Sequence, residues 1–394
     1  MGVRITGMGI VSAIGLTVDE NLQALRGEKS GISVSKRWDE RNDLLVGEVK
    51  MSNEDLLVRF GLSNPYLSRT TLLGLMAASE AWGTNVHHPQ LKTGIISATS
   101  VGGMDKSEVF YQDYLKGNPG NYEVLKYHDS GNTTENIAKQ LGIAGYINTL
   151  STACSSGANA IMLGARLMEQ GKLDRVLVGG IDPLTRFTIN GFKSLMIYDD
   201  AWCRPFDESR AGLNLGEGAA FLLLENEKSL NFSGNKTLCY LSGWANAADA
   251  YHQTASSPEG KGATLAVGNA LKKAGITPQE ISYINAHGTG TKNNDVSESV
   301  ALKNIFGDNI PPFSSTKAYT GHTLAAAGAI EAVFSVLAIR DGLVFPNLNY
   351  RNSIEETGLV PVTSLKTGQD IHSVLSNSFG FGGNNSSLVF AREA

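Results

Sequence analysis

Three cysteines in 394 residues are too few for a disulfide framework. Their spacings fit no zinc pattern, so a reducing compartment is expected. No apolar run reaches the roughly 20 residues that a membrane-spanning helix needs. The opening MGVRITGMGIV has no hydrophobic stretch long enough for a signal peptide, and the expectation is a cytoplasmic protein with no membrane contact. Positive charge is short as well: 33 Lys and Arg face 38 Asp and Glu, a formal net charge of −5. That balance argues against nucleic acid as a partner. Glycine is the exception to these shortages, at 44 of 394 residues, and it predicts many tight turns or close backbone approaches.

The chain is organised around Tyr146 to Gly171, YINTLSTACSSGANAIMLGARLMEQG. A short β-type run, Tyr146–Leu150, leads through small hydroxyl residues to Cys154. A helical pattern follows, with Ala158, Ile161, Ala165 and Met168 at three- and four-residue spacing. Cys154 therefore falls where a strand ends and a helix begins, a place where unpaired amides and the helix dipole favour a thiolate. Location alone leaves two readings open, a reactive thiol and an inert buried one.

Strands and helices alternate along the rest of the chain, which predicts an α/β architecture. Thr17 and Glu20 have capping-box spacing. Residues 33–65 read as polar and irregular, Tyr66–Trp82 as a long amphipathic helix, and 104–141 as two helices flanking a turn at 117–121. Arg175–Ile181 reads as a buried strand. Leu215-Gly-Glu-Gly218 is glycine-punctuated backbone beside a strand; no Gly-Lys-Ser/Thr follows, so it is not a phosphate loop. The polar break 226–236 divides the chain into halves, 1–230 and 231–394. Of seven histidines, His287 and His322 each lie just past a short strand among Gly and Thr, and His252 is a candidate pocket residue. No close pair of ligands accompanies either His287 or His322, so no metal site is assigned to them.

Four motifs, Thr-Ala-Cys154-Ser-Ser-Gly, Asn-Ala-His287-Gly-Thr-Gly-Thr, Ser-Ser-Thr-Lys317-Ala-Tyr-Thr-Gly-His322 and Asn-Ser-Phe-Gly-Phe-Gly-Gly-Asn, carry a family likeness. In order and spacing the chain resembles the β-ketoacyl-acyl carrier protein synthase I/II family from end to end. The resemblance implies the thiolase fold, two βαβαβ-like halves stacked as five α/β/α/β/α layers, with Cys154 in the first half and both histidines in the second. It implies a homodimer, with a heterodimer of related subunits as the alternative. The activity implied is decarboxylating Claisen condensation of an acyl chain held on Cys154 with malonyl-acyl carrier protein, as in fatty-acid elongation. No cofactor belongs to the protein itself; phosphopantetheine arrives on the acyl carrier protein.

By the same resemblance His287 and His322 stabilise the enolate, and the backbone amides of Cys154 and Phe381 hold the acyl-transfer oxyanion. Phe381 also gates the acyl pocket within the loop of Phe379 and Gly380. Lys317 orders the site and is tied by Glu331, while Thr289 and Thr291 bond the phosphopantetheine arm. Asp295 and Glu298 hold the His287 loop. Asn285, Glu331, Ser376 and Asn377 fall where some relatives bind a monovalent cation. Arg69 matches a position for docking the acidic carrier protein, whereas Asp199-Asp200-Ala201-Trp202 replaces a stretch that is often basic. That thinned basic patch leaves a specialised polyene or polyketide pathway as the alternative to fatty-acid elongation.

Competing readings meet specific obstacles. A non-catalytic chain-length-factor partner would lack the nucleophile that Cys154 supplies. A cysteine hydrolase would leave the second histidine and Lys317 without a role. Within the fold, a degradative thiolase would carry a second cysteine near Phe379–Gly383, and an initiating synthase would have asparagine where His322 stands.

Overall fold

Among the described residues ten strands share one hydrogen-bonded sheet, and their order repeats itself. The computed structural model describes residues 2–35, 44–118 and 120–393, so residues 36–43 of the segment read as irregular, and residue 119 of the turn at 117–121, lie outside the described residues. The first five strands are β1 (Val3–Val11), β2 (Thr93–Ala98), β3 (Tyr146–Leu150), β4 (Arg175–Asp182) and β5 (Gly218–Glu225). The second five are β6 (Cys239–Ala248), β7 (Tyr283–Asn285), β8 (Phe313–Ser314), β9 (Ser373–Gly380) and β10 (Asn384–Ala391). Spatially they run β8-β7-β9-β10-β6-β1-β5-β4-β2-β3. Read outward from the β1/β6 pairing, each half has the same sequence of strands shifted by five. In each half four strands run in one direction and the fifth, β5 or β10, runs antiparallel between its two neighbours. The duplication is thus explicit in topology, although faint in residues.

The main helices are α1 (Arg69–Trp82), α2 (Met104–Leu115), α3 (Ser130–Leu141), α4 (Ser156–Glu169), α5 (Arg186–Ser194), α6 (Lys261–Ala274), α7 (Lys292–Phe306) and α8 (Ala327–Asp341). Helices α1 and α3 cover the outer face of the first half, and α6 backed by α7 covers the second. Between the halves α4 and α8 touch each other and strands of both, which completes five layers. Strands buried on both faces need no polar alternation, and β4 and β5 are buried at every position. Helix α8 is buried from Ala327 to Ile339, as a middle-layer helix must be.

Helix α1 departs from expectation in two ways. It starts at Arg69, because Ser68 caps it by accepting from the Thr71 amide. It is buried on nearly every side rather than amphipathic, since α3 and the short helix Asn53–Arg59 cover its outer face.

Glycine positions the site at one place above all. A Cβ on Gly157 would lie 2.8 Å from the Ala329 nitrogen, and one on Gly328 would lie 2.9 Å from the Ala158 nitrogen. Only bare backbones let α4 and α8 approach so closely near their first turns. That contact brings the residues preceding each helix, Cys154 and His322, toward one another.

Candidate active site

Cys154 occupies a sharp elbow between β3 and α4. Ala153 takes a left-handed conformation (φ 53°), which aims the next side chain away from the strand direction. The elbow is locked from inside: the Thr152 amide donates to Ser156 Oγ at 2.7 Å, and Ser156 Oγ donates to the Ala153 carbonyl at 2.5 Å. The thiol is buried, 6% exposed. The backbone N–H groups of Phe381 and of Cys154 itself point at its sulfur. Burial nonetheless pushes the thiol up to about 12, against the pull of Lys317 and those two amides. The helix start alone therefore does not make a standing thiolate, contrary to the expectation from sequence, because desolvation outweighs the local dipoles.

The two imidazoles come from topologically distinct seats. His322 precedes α8 as Cys154 precedes α4, each after the third strand of its half. His287 follows β7, the second strand of its half. The rings stand 5.4 Å apart, centroid to centroid, and nearly perpendicular at 83°. Glu298 fixes the His287 loop by accepting from the amides of His287 (2.9 Å) and Gly288 (2.8 Å). Asp295 accepts from Thr289 at 3.0 Å and from Phe206 at 2.8 Å. Both carboxylates thus hold the loop, as expected.

Lys317 stands behind the histidines. Its Nζ pairs with Glu331 and donates to the His287 carbonyl at 2.5 Å. The same Nζ lies 3.2 Å from His287 Nδ1. An ammonium has only protons to offer, so Nδ1 is the acceptor and the ring proton of a neutral His287 resides on Nε2. Burial, and then the nearby Lys317 charge, hold both imidazoles well below the usual histidine range. They are neutral at pH 7. Burial raises Glu331 to about 7 although Lys317 opposes it. His322 Nδ1, Asn285 Oδ1, Glu331 Oε2 and Ser376 Oγ are buried without hydrogen-bond partners among the described residues. Asn377 is committed elsewhere, to Glu298 and Ser387.

Cys154, His287 and His322 line one cavity of about 370 Å³, together with Thr289, Thr291, Phe379, Gly380 and Phe381. Thr289 and Thr291 bond each other through their hydroxyls at 2.9 Å. A sulfur beside two aimed amides and two neutral imidazoles in one enclosure suits covalent acyl transfer followed by stabilisation of an oxyanion.

Residues 2–229 match the family described as beta-ketoacyl synthase, N-terminal domain, and residues 238–351 match beta-ketoacyl synthase, C-terminal domain. The chain belongs to the β-ketoacyl synthase family. It is 35% identical over 414 aligned residues to the 3-oxoacyl-[acyl-carrier-protein] synthase 2 of Staphylococcus aureus (strain COL), covering 99% of this chain and 98% of that protein. Among solved structures it resembles the ishigamide ketosynthase/chain length factor, with TM-score 0.93 and 29% identity over 100% of this chain and 99% of that one. It also resembles the ketosynthase (ApeO) in complex with its chain length factor (ApeC) from Xenorhabdus doucetiae, with TM-score 0.87 and 34% identity over 99% and 98% of the two chains.

A second cavity of about 430 Å³ adjoins the first. Its walls include Val101, Phe187, Leu195 and Leu324, and among the described residues Cys154, Phe192 and Phe381 line both cavities. The Phe381 ring lies against Phe192 at 5.6 Å and 18°, so these two side chains form the partition. Phe192 went unremarked in the sequence because a phenylalanine in a polar helical segment carries no special signal. The same is true of Asp182, whose carboxylate accepts from Thr99, Ser100 and the Ala325 amide. It thereby ties the wall of the second cavity to the His322 segment.

Two expectations fail. Arg69 is 1% exposed and is spent internally, with Nε and an amino group on Glu217 at 2.8 and 2.7 Å. It cannot dock a carrier protein. Glu217 belongs to the glycine-punctuated Leu215–Gly218 stretch, whose purpose is thus in part this ion pair. His252 is exposed and off the cavity wall, although its neighbours Thr254 to Ser256 line it.

Proposed function

We propose that Cys154 takes an acyl chain from a carrier-protein thioester and that this acyl-enzyme condenses with malonyl-acyl carrier protein to give 3-oxoacyl-acyl carrier protein. The observation that carries the reading is the single cavity shared by Cys154, His287 and His322. With the thiol raised to about 12, attack requires its proton to pass to the departing phosphopantetheine sulfur as the new C–S bond forms and the old one breaks. The amides of Cys154 and Phe381 take the oxyanion. The acyl chain then lies in the second cavity, past Phe381.

Loss of CO2 from the malonyl group leaves an enolate, whose oxygen receives the Nε2–H of His287 and a ring proton of His322. Lys317 fixes the His287 tautomer, and Glu331 holds Lys317. Thr289 and Thr291, at the cavity wall, bond the phosphopantetheine arm. Asn285, Glu331 and Ser376 offer the unpartnered oxygens that suit the monovalent cation implied by the resemblance. Such an ion would offset the Glu331 charge.

Elongation of fatty acids is the primary reading, supported by the likeness to named 3-oxoacyl-acyl carrier protein synthases. A specialised polyketide-type pathway is favoured by a different observation, the likeness to ketosynthases solved with chain length factors. Both readings call for a second subunit of the same fold. Strand β3 ends the sheet with an unpaired edge, and Tyr146, Ile147, Tyr111, Tyr114, Leu115, Phe187 and Leu195 are exposed large apolar residues. An uncovered edge with such neighbours is an association surface. A homodimer is the simpler assembly, a heterodimer the alternative. Among the described residues no helix is long and apolar enough to cross a membrane.

The test is mass spectrometry of Cys154 after incubation with a panel of acyl-carrier proteins, followed by malonyl-acyl carrier protein. An acyl adduct that disappears as CO2 and 3-oxoacyl product form is expected. Cys154→Ala should abolish condensation while malonyl decarboxylation stays measurable. Elongation retained in that variant would overturn the assignment.

A further inference from the structure

The glycine-rich loop that carries Phe381 is wired, at its far end, to the turn that carries the nucleophile. Asn384 follows the left-handed pair Gly382 and Gly383 (φ 80° and 74°) and opens β10. Its Oδ1 accepts from Asn246 Nδ2 at 2.6 Å, Ser155 Oγ at 2.8 Å and Asn159 Nδ2 at 3.1 Å. One oxygen therefore gathers the residue after Cys154, the first turn of α4, and strand β6. The network closes on itself. Asn159 also donates to Thr152 Oγ1 at 2.8 Å, and Ser386 Oγ donates to Asn159 Oδ1 at 2.8 Å.

Ser155 Oγ has a single hydrogen and two acceptors at equal range, the Thr152 carbonyl and Asn384 Oδ1, both 2.8 Å away. The nucleophile turn and the loop thus compete for one proton. The loop's other ties include the Gly382 amide, which donates to the Gln253 carbonyl at 2.7 Å, the Gly383 carbonyl, which accepts from the Asp249 amide at 2.9 Å and from Asn385 Nδ2 at 3.0 Å, and the Phe381 ring on Phe192. Cys154, Phe192 and Phe381 line both cavities, so a chain passing from Cys154 into the second runs against that ring.

We propose that Asn384 is a positioning residue that latches the Phe381 loop to the Cys154 turn. It holds the Phe381 amide on the sulfur and the Phe381 ring across the partition. This rests on the reading of Cys154 as the acyl-carrying nucleophile. The two duties of Phe381 separate by chain length. Acetyl transfer uses the amide alone, whereas octanoyl transfer also needs the ring to swing aside. Releasing the latch costs both chains an aimed donor but eases the swing for the long one.

Single-turnover acylation of Cys154 by acetyl- and octanoyl-acyl carrier protein, followed by intact-mass spectrometry, tests this in wild type, Asn384→Ala, Asn384→Asp and Asn246→Ala. Asn384→Ala should slow acetyl transfer about five- to tenfold, the worth of one hydrogen bond, and slow octanoyl transfer less, raising the octanoyl-to-acetyl ratio. Asn384→Asp keeps an acceptor oxygen and should restore the wild-type ratio. Asn246→Ala, at an exposed position, should raise the ratio in the same direction by a smaller factor. An unchanged ratio in both alanine variants, or a ratio that Asn384→Asp fails to restore, overturns the latch. No adduct on Cys154 in the wild-type protein would instead overturn the nucleophile assignment beneath it.

Discussion

Replacing Lys317 by methionine removes one ammonium while keeping most of the buried stem, and the outcome depends on the groups around it. Glu331 loses its partner, but burial already raises that carboxyl to about 7 with Lys317 present. Without the lysine it is protonated at pH 7, so no charge is stranded. The cost is then the roughly 1–3 kcal/mol of unmade hydrogen bonds rather than the ~3–5 kcal/mol of a broken buried pair. A protein of ordinary stability, about 5–15 kcal/mol, stays folded. The chemical loss is larger. His287 Nδ1 no longer faces an obligate donor, the ring proton is free to move there, and Nε2 then turns a lone pair toward the enolate oxygen. Losing one aimed donor at a developing oxyanion costs about 10²–10³ in rate. Release of CO2 from radiolabelled malonyl-acyl carrier protein by the Lys317→Met protein should fall by that factor, while acylation of Cys154 falls far less. A thermal melt run in parallel confirms the fold. Decarboxylation at the wild-type rate would refute the tautomer argument.

The geometry sets three further outcomes. His322→Ala should slow decarboxylation far more than acyl transfer to Cys154; equal loss of both, by CO2 release and intact mass, would remove its enolate role. Because the Cys154 thiol is raised to about 12, its alkylation by iodoacetamide should climb about tenfold per pH unit from pH 7 to 10, and a plateau below pH 9 would contradict the burial argument. Gly157→Ala places a methyl 2.8 Å from backbone atoms of Ala325 and Ala329. It should destabilise by about 1–3 kcal/mol and lower both half-reactions together, whereas an unchanged melting temperature would show that the two helices can part without penalty.

What was legible in the sequence was local. The elbow at Cys154 could be read because a strand pattern, small residues and a helical pattern succeed one another within 25 residues. The ties from Glu298 and Asp295 to the His287 loop were readable for the same reason, being one to three turns downstream. Glu331 was within reach of Lys317 because both border one short helical passage. Arg69 was misread because its fate depends on Glu217, 148 residues away, and an arginine carries no mark of such a partner. The raised Cys154 thiol could not be read either, since desolvation depends on what closes over a helix start and not on the start itself. Asn384 looked like one polar residue among several after Gly383. Its significance comes from Ser155, at a separation of 229 residues.

The bare-backbone crossing of α4 and α8 has a bearing on how such a molecule could change over time. Sulfur and second imidazole hang from the same junction, so a shift of either helix disturbs loading and carbon–carbon bond formation at a stroke. Altered substrate preference is therefore easier to reach through the walls that α5 and the Thr99–Val101 segment contribute, which can be recarved while the junction keeps its spacing.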